Sequence, residues 1–414
     1  MSDTAQGTGQ RGTAALAVGS VLNGVLAYVF FALVTRALGA GPAAPVAVLW
    51  AWWSFAGAAF TFPVQHWIAR TCATPAGEAA VRRGLGRVAA AVLAASLVAG
   101  ALALAFGGRL FGQDTGWFPA LVVAVGLGSG VLGVVRGLLS GRGRFGALGT
   151  NLVLENGIRC VVAGLLMGLT DAPAAAYGLA LVAGYAVALL RPSALLPRVS
   201  GEGGAPSALA FVTGASAGQL LAQVTLTGGP VLLAAVNGAP AEVTALFAAL
   251  ALFRAPYTFA LGLVAALTGR LTTLVEAGRH DTLVRIRTAL VVVTLVLALL
   301  GGLGAAWLGP WLMEAVFGAG VRLEPGATAI VAVGSVLALA NLVLTVGLLA
   351  RGRPALVVRT WLVAPPVAVV AQVMAPGDAL TRTCWTFLAV EVVAWVGFLV
   401  LERRADRPAG QSAA

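Results

Sequence analysis

Residues 288–308, TALVVVTLVLALLGGLGAAWL, run through 21 positions without a charged side chain. A helix rising 1.5 Å per residue needs about 20 such residues to cross about 30 Å of hydrocarbon, so this stretch reads as a complete membrane span. Cutting the rest of the chain wherever charge, Pro or Gly clusters interrupt apolar runs gives further spans at 12–34, 44–68, 88–106, 118–135, 148–169 and 174–190. A polar connector at 191–206 follows, and then spans at 207–236, 243–267, 327–349, 355–374 and 380–401 join the one at 288–308. The expected fold is therefore an all-α integral membrane protein of about 12 transmembrane helices. Its expected parts are a tail at 1–11, an N-lobe at 12–190 (helices 1–6), the connector at 191–206, a C-lobe at 207–401 (helices 7–12) and a tail at 402–414.

Composition requires the same solvent. Of 414 residues, 59% are hydrophobic and 10% charged, and mean hydropathy is +0.95. A single water-soluble core stops growing near about 250–300 residues and needs a charged surface, so lipid must solvate this chain. The first apolar run is too long for a signal-peptide core and is expected to be retained as a span. No stretch is long and hydrophilic enough to suggest an attached soluble catalytic domain.

The net charge is +11, and all 26 basic residues are Arg, which points to a GC-rich bacterial genome. The arginines fall in short groups between apolar runs, a pattern of topology determinants rather than the basic face of a nucleic-acid binder. With the N-terminus inside, twenty of them lie on the inner side, Arg136, Arg142 and Arg144 included. Only Arg36, Arg109, Arg322 and Arg382 fall outside, and Arg159 and Arg254 lie within spans. That asymmetry predicts a bacterial cytoplasmic-membrane protein with an even number of spans and both termini cytoplasmic.

Enzyme signatures fail on context. Gly141-Arg142-Gly143-Arg144-Phe145-Gly146 is glycine-rich but sits between two spans with no preceding strand, which does not support dinucleotide binding. Cys72, Cys160 and Cys384 are too scattered for a disulfide framework or a metal site. No Walker motif occurs, no cofactor is expected, and the predicted outer loops are too short to hold a glycan acceptor.

Ionisable side chains in hydrocarbon cost about 2.5–3.5 kcal/mol each, so Glu155, Arg159, Arg254 and Glu391 are the leading site candidates. Glu155 and Arg159 are four residues apart and share a helix face. Arg159 lies about 16 Å from the start of its span, near the midplane. In one reading Arg159 and Arg254, one from each half, face a central cavity and hold an anion by forked hydrogen bonds while the two glutamates tune them. In the other, Glu155–Arg159 and Arg254–Glu391 are two self-contained packing pairs. Asn23 lies in a small-residue stretch of the first span, and Gln219 and Gln223 share a face of a glycine-interrupted seventh span that is expected to bend. These three complete the cavity candidates. Asn151, Asn156 and Asn341 are expected to hydrogen-bond between helices. Gln65, His66 and Trp67 read as an interfacial cluster, and Trp50, Trp52 and Trp53 lie near mid-span.

Several stretches in order resemble the polysaccharide flippase branch of the multidrug/oligosaccharidyl-lipid/polysaccharide exporter superfamily. They are Asn23-Gly24 through Val34-Thr35-Arg36-Ala37-Leu38-Gly39, Arg136-Gly137-Leu138-Leu139-Ser140-Gly141-Arg142-Gly143-Arg144-Phe145, Leu154-Glu155-Asn156-Gly157-Ile158-Arg159, and Ala248-Ala249-Leu250-Ala251-Leu252-Phe253-Arg254-Ala255-Pro256. The resemblance implies two six-helix lobes around a central cavity that opens alternately to either side. It implies flipping of undecaprenyl-diphosphate-linked oligosaccharide for cell-surface polysaccharide, with Arg159 and Arg254 matching the cationic side chains that hold the pyrophosphate. The implied partners are the lipid-linked glycan, membrane lipids and glycan-assembly enzymes, and no nucleic acid. A cation-coupled exporter of small amphiphiles and a non-transporting partner of glycan-assembly enzymes are the alternatives.

Overall fold

The computed structural model describes residues 2–74, 77–112, 116–168, 172–198, 208–261 and 264–405, and every regular element among them is helical. The first half holds α1 (Ser2–Leu38), α2 (Ala44–Ala56), a π-helical turn (Gly57–Thr61), α3 (Phe62–Cys72), α4 (Gly77–Ala105), α5 (Gly107–Phe111), α6 (Trp117–Gly141), α7 (Phe145–Met167) and α8 (Ala174–Ala183). A 3-10 segment, Gly184–Leu190, continues α8. The second half holds α9 (Ala208–Thr227), α10 (Gly229–Ala235), α11 (Pro240–Phe253), α12 (Ala255–Leu261), α13 (Val264–Glu276), α14 (His280–Phe317), α15 (Pro325–Ala350), α16 (Pro354–Leu362), α17 (Ala364–Met374) and α18 (Ala379–Ala405).

Among the described residues, 10 helical stretches are long and apolar enough to cross a membrane, and the shorter apolar stretches Ala174–Leu190 and Pro240–Phe253 match the sixth and eighth expected spans. The protein is thus an all-helical, multi-pass membrane protein. Trp307 on α14 is 85% exposed, and Leu299 and Leu303 are also exposed; such a surface is stable only against lipid.

Two expectations need correction. The eighth span does not run as one helix through 243–267. It breaks at Arg254, between α11 and α12, because Pro256 lacks an N–H and its ring clashes with the preceding turn. The third span begins at Gly77 rather than near residue 88, so its first turns carry Glu78, Arg82, Arg83 and Arg87. The seventh span breaks as expected, between α9 and α10 at Gly228.

Backbone contacts divide the chain into two compact units. The first comprises Met1–Gln223 and Ala234–Thr244. Within it α1 runs along α7, and α6 packs on α2, α3 and α4. Gly19 and Gly149 permit the α1–α7 approach, since a Cβ on Gly19 would lie 2.8 Å from Gly149 Cα. Val64, Trp67, Ile68, Val81, Val88, Val92 and Leu138 form an apolar cluster where α3, α4 and α6 meet. The second unit comprises Val224–Leu233 and Ala245–Ala414, and α15 is its centre, packed against α14 and α18.

Candidate functional site

The turn between α6 and α7 builds the principal site. Arg142 N–H donates to Leu138 O and Arg144 N–H to Leu139 O, at 3.0 and 2.8 Å. Gly143 sits between them at φ 67°, a left-handed conformation that glycine adopts without strain. The turn sends α7 back along α6, so residues equally far from it meet at the same depth. Arg136, six residues before Arg142, meets Asn151, seven after Arg144, and Arg136 Nε donates to Asn151 Oδ1 at 3.0 Å.

Glu155 lies one turn further along α7 and accepts from two arginines at once. One carboxylate oxygen takes Arg136 Nη2, and the other takes Arg159 Nη2 at 2.5 Å. Arg159 Nη1 donates to Asn156 Oδ1 at 2.8 Å, and its Nε donates to Leu181 O of α8 at 2.8 Å. Asn156 in turn donates to Asn23 of α1, at 2.8 Å to Oδ1 and 3.1 Å to the carbonyl. The Arg159 guanidinium carbon lies 4.7 Å from the Trp53 ring centre and 5.6 Å from that of Tyr185, in range for attraction to both π faces. Tyr185 and Ser129 hydroxyls are 2.9 Å apart. Gly184 lets the guanidinium lie against bare backbone, since a Cβ there would be 2.5 Å from Arg159 Nε and 2.9 Å from Glu155 O.

The cluster therefore holds two guanidiniums against one carboxylate, an excess of one positive charge. It is almost closed to solvent: the side chains of Arg159, Glu155 and Arg136 are 0%, 3% and 8% exposed. Asn151 Nδ2 is buried there without a hydrogen-bond partner among the described residues. Such enclosed charges are expensive to desolvate and stay ordered only with this many bonds.

In the second unit Arg254 mends a broken helix. Pro230 has no N–H to offer the carbonyl four residues back, Leu226 O. Arg254 Nη1 donates to that oxygen at 2.6 Å, and its Nε donates to Leu250 O at 2.7 Å. Glu391 of α18 accepts from Asn341 Nδ2 of α15, at 2.8 Å through Oε2 and 3.1 Å through its carbonyl. Glu391 Oε1 and Asn341 Oδ1 are both buried without a hydrogen-bond partner among the described residues.

The structure thus brings together Glu155, Arg159 and, through Asn156, Asn23. Arg254 and Glu391 belong to the other unit. Gln219 is exposed on α9 and Gln223 half-buried. A neighbour of these two, Ser216, donates to Ala59 O at 2.6 Å, a carbonyl that Pro63 cannot serve. Arg136 is the site residue that sequence reasoning missed, having been counted as a topology determinant. Its depth relative to the turn was the available signal.

Two further features belong to the first unit. Arg142 pairs with Glu78 through two bonds of 2.7 and 2.8 Å and donates to Ser193 O at 2.7 Å, while Arg198 N–H donates to Glu78 at 2.6 Å. These bonds fasten the start of the connector to α4 and α6. The Glu78 carboxylate also holds the Arg142 guanidinium proton more tightly than usual, chiefly through its hydrogen bond. Separately, Arg36, Arg109, Tyr177 and Asn237 help line a cavity of about 1200 Å³ in which none of the expected site residues takes part.

No family model and no curated protein matches the chain. Solved structures do. A multidrug resistance MATE family transporter of the MOP superfamily, in its inward-facing conformation, superposes with a TM-score of 0.68 at 15% identity, covering 94% of this chain and 96% of that one. The outward-facing conformation of such a transporter gives 0.56 at 15% identity, covering 96% of each chain. A mutant of the Vibrio cholerae MATE transporter VcmN gives 0.58 at 12%, covering 97% of this chain and 98% of that one. Over nearly its whole length, the chain has the fold of the MATE transporters of the MOP superfamily.

Proposed function

We propose that the protein is an alternating-access transporter of the bacterial cytoplasmic membrane, with both termini cytoplasmic. In this reading it translocates an undecaprenyl-diphosphate-type lipid-linked oligosaccharide for cell-surface polysaccharide. The excess positive charge buried in the Arg136–Glu155–Arg159 cluster carries the reading. A transporter fold that pays for an unneutralised charge in a low-dielectric interior has a use for it, and an anionic diphosphate is the substrate chemistry that matches. Solved relatives of this fold in inward- and outward-facing forms support the alternating mechanism. Arg159, Arg254, Glu155, Glu391, Asn23, Gln219 and Gln223 remain the substrate-site residues of this proposal. With Arg159 fully enclosed, its charge acts on the substrate through the local field, and the more open Arg136 makes contact.

One observation favours a second reading, cation-coupled export of small amphiphiles. Glu391 Oε1 and Asn341 Oδ1 are two buried acceptors lacking donors among the described residues, and a small cation would complete that arrangement.

The deciding experiment is transport of a fluorescent polyprenyl-diphosphate glycan in proteoliposomes, comparing wild type with Arg159→Ala plus Arg254→Ala at matched insertion and folding. Transport by the wild type that the double variant loses supports the flippase. Undiminished transport by the variant reduces both arginines to packing residues. Failure of the wild type with this substrate, together with cation-dependent export of a small amphiphile, selects the second reading.

A further inference from the structure

We infer that Arg136 and Asn151 form an oxyanion site for a phosphoryl group at the open edge of the buried cluster. Three observations converge on it. First, the cluster carries one more positive than negative charge, because its one carboxylate, Glu155, is shared between two arginines. Second, Asn151 is 1% exposed, yet its Nδ2 has no hydrogen-bond partner among the described residues. Its orientation is fixed, because Oδ1 must accept from Arg136 Nε. Third, Arg136 has the largest side-chain exposure of the three charged members, 8% against 3% and 0%. Its Nε and Nη2 are occupied and its Nη1 makes no hydrogen bond among the described residues.

An amide donor and a guanidinium nitrogen, neither with a partner among the described residues, therefore belong to two side chains joined by one hydrogen bond, in a site with a positive excess. A water molecule would satisfy the donors and leave the charge. An oxyanion satisfies both, and a tetrahedral phosphoryl group can take Arg136 Nη1 and Asn151 Nδ2 on separate oxygens. The guanidinium does not need to leave Glu155, so binding requires only that the side chains covering Asn151 Nδ2 part. The assignment deepens the transport reading and rests on it only for the source of the phosphoryl group, which would be the diphosphate of the lipid-linked substrate. A phospholipid headgroup and free phosphate share the chemistry.

The test uses the full chain in phosphatidylcholine nanodiscs and reads the unfolding temperature, which a ligand of the folded state raises by mass action. Inorganic pyrophosphate, a short polyprenyl diphosphate, and phosphatidylglycerol blended into the disc are the three probes. Asn151→Asp keeps the oxygen that Arg136 needs and turns the unpaired donor into an acceptor. That variant is expected to be at least as stable as wild type without anion, and to lose the upward shift with pyrophosphate. Arg136→Lys keeps the charge beside Glu155 but loses the fork, and is expected to weaken pyrophosphate binding about tenfold or more.

A shift for wild type that both variants lose or weaken supports the site. A larger shift with polyprenyl diphosphate than with phosphatidylglycerol names the substrate as its source, and the reverse order names the headgroup. No shift for wild type with any probe overturns the site, as does an undiminished shift in Asn151→Asp or in Arg136→Lys. Anion binding without glycan transport supports the site while removing the transport reading. Glycan transport without anion binding removes the site alone.

Discussion

At the scale of single residues, Glu155 shows how a carboxylate can be both costly and required. It neutralises one of two guanidiniums and orients both. Glu155→Gln should therefore destabilise the protein by about 3–5 kcal/mol, the range for breaking a buried ion pair. Glu155→Gln combined with Arg159→Leu should recover part of that loss, and thermal unfolding in micelles of the two singles and the double measures the coupling. Arg254 makes a different kind of contribution, since two of its bonds go to carbonyls. Arg254→Leu strands Leu226 O and should cost about 2–3 kcal/mol, whereas Arg254→Lys, still able to donate once, should cost less in the same assay. The sequence made Glu155 and Arg159 visible because spacing of four is a local rule. Arg136 was hidden because its partners come from the next helix, and an arginine near a helix end looks like any other topology signal.

At the scale of elements, small residues and prolines decide where helices touch and where they stop. Gly19→Ala would push its new Cβ into Gly149 Cα at 2.8 Å, so α1 and α7 must separate. The expected cost is about 1–3 kcal/mol, the usual penalty for overpacking, with a loosened Asn156–Asn23 bond detectable as faster amide exchange in α1. Asp378 shows the same logic at a surface. Thr381 N–H donates to its side chain at 2.7 Å, a helix N-cap for α18. That hydrogen bond, with the other Thr381 contact, holds the Asp378 carboxyl below its usual range. Because the folded state favours the charged form, the stabilisation is complete above the ordinary aspartate pKa of about 3.9 and is lost as pH falls through the depressed value. Asp378→Ala should flatten the acid limb of an unfolding-versus-pH curve. Span positions were legible from hydropathy because lipid imposes length. The break at Arg254 was less so: residues 243–267 are apolar enough to read as one helix, and only Pro256 marks the interruption.

At the scale of the whole molecule, composition alone required a membrane, and the order of apolar runs gave about twelve spans, to which ten long and two shorter apolar helical stretches among the described residues correspond. What composition could not encode is which polar residues meet, because that depends on helices distant in sequence. Topology can be checked directly. Single cysteines placed at Arg144 and Arg353, in a background with Cys72, Cys160 and Cys384 replaced, should react with impermeant maleimide only in inside-out vesicles, and one at Arg322 only in right-side-out cells. Labelling of Arg144 and Arg353 positions from opposite sides would break the proposed even count of spans.

The bond from Arg254 to the carbonyl that Pro230 abandons has a consequence for genetics. Under the proposed function, a screen that scores only surface polysaccharide will find Arg254 variants defective without telling a lost cargo contact from a lost helix bond. Protein abundance separates the two classes. Cells carrying Arg254→Leu should hold little of the protein, cells carrying Asn151→Asp should hold a full complement of it, and the second class alone reports on what the transporter carries.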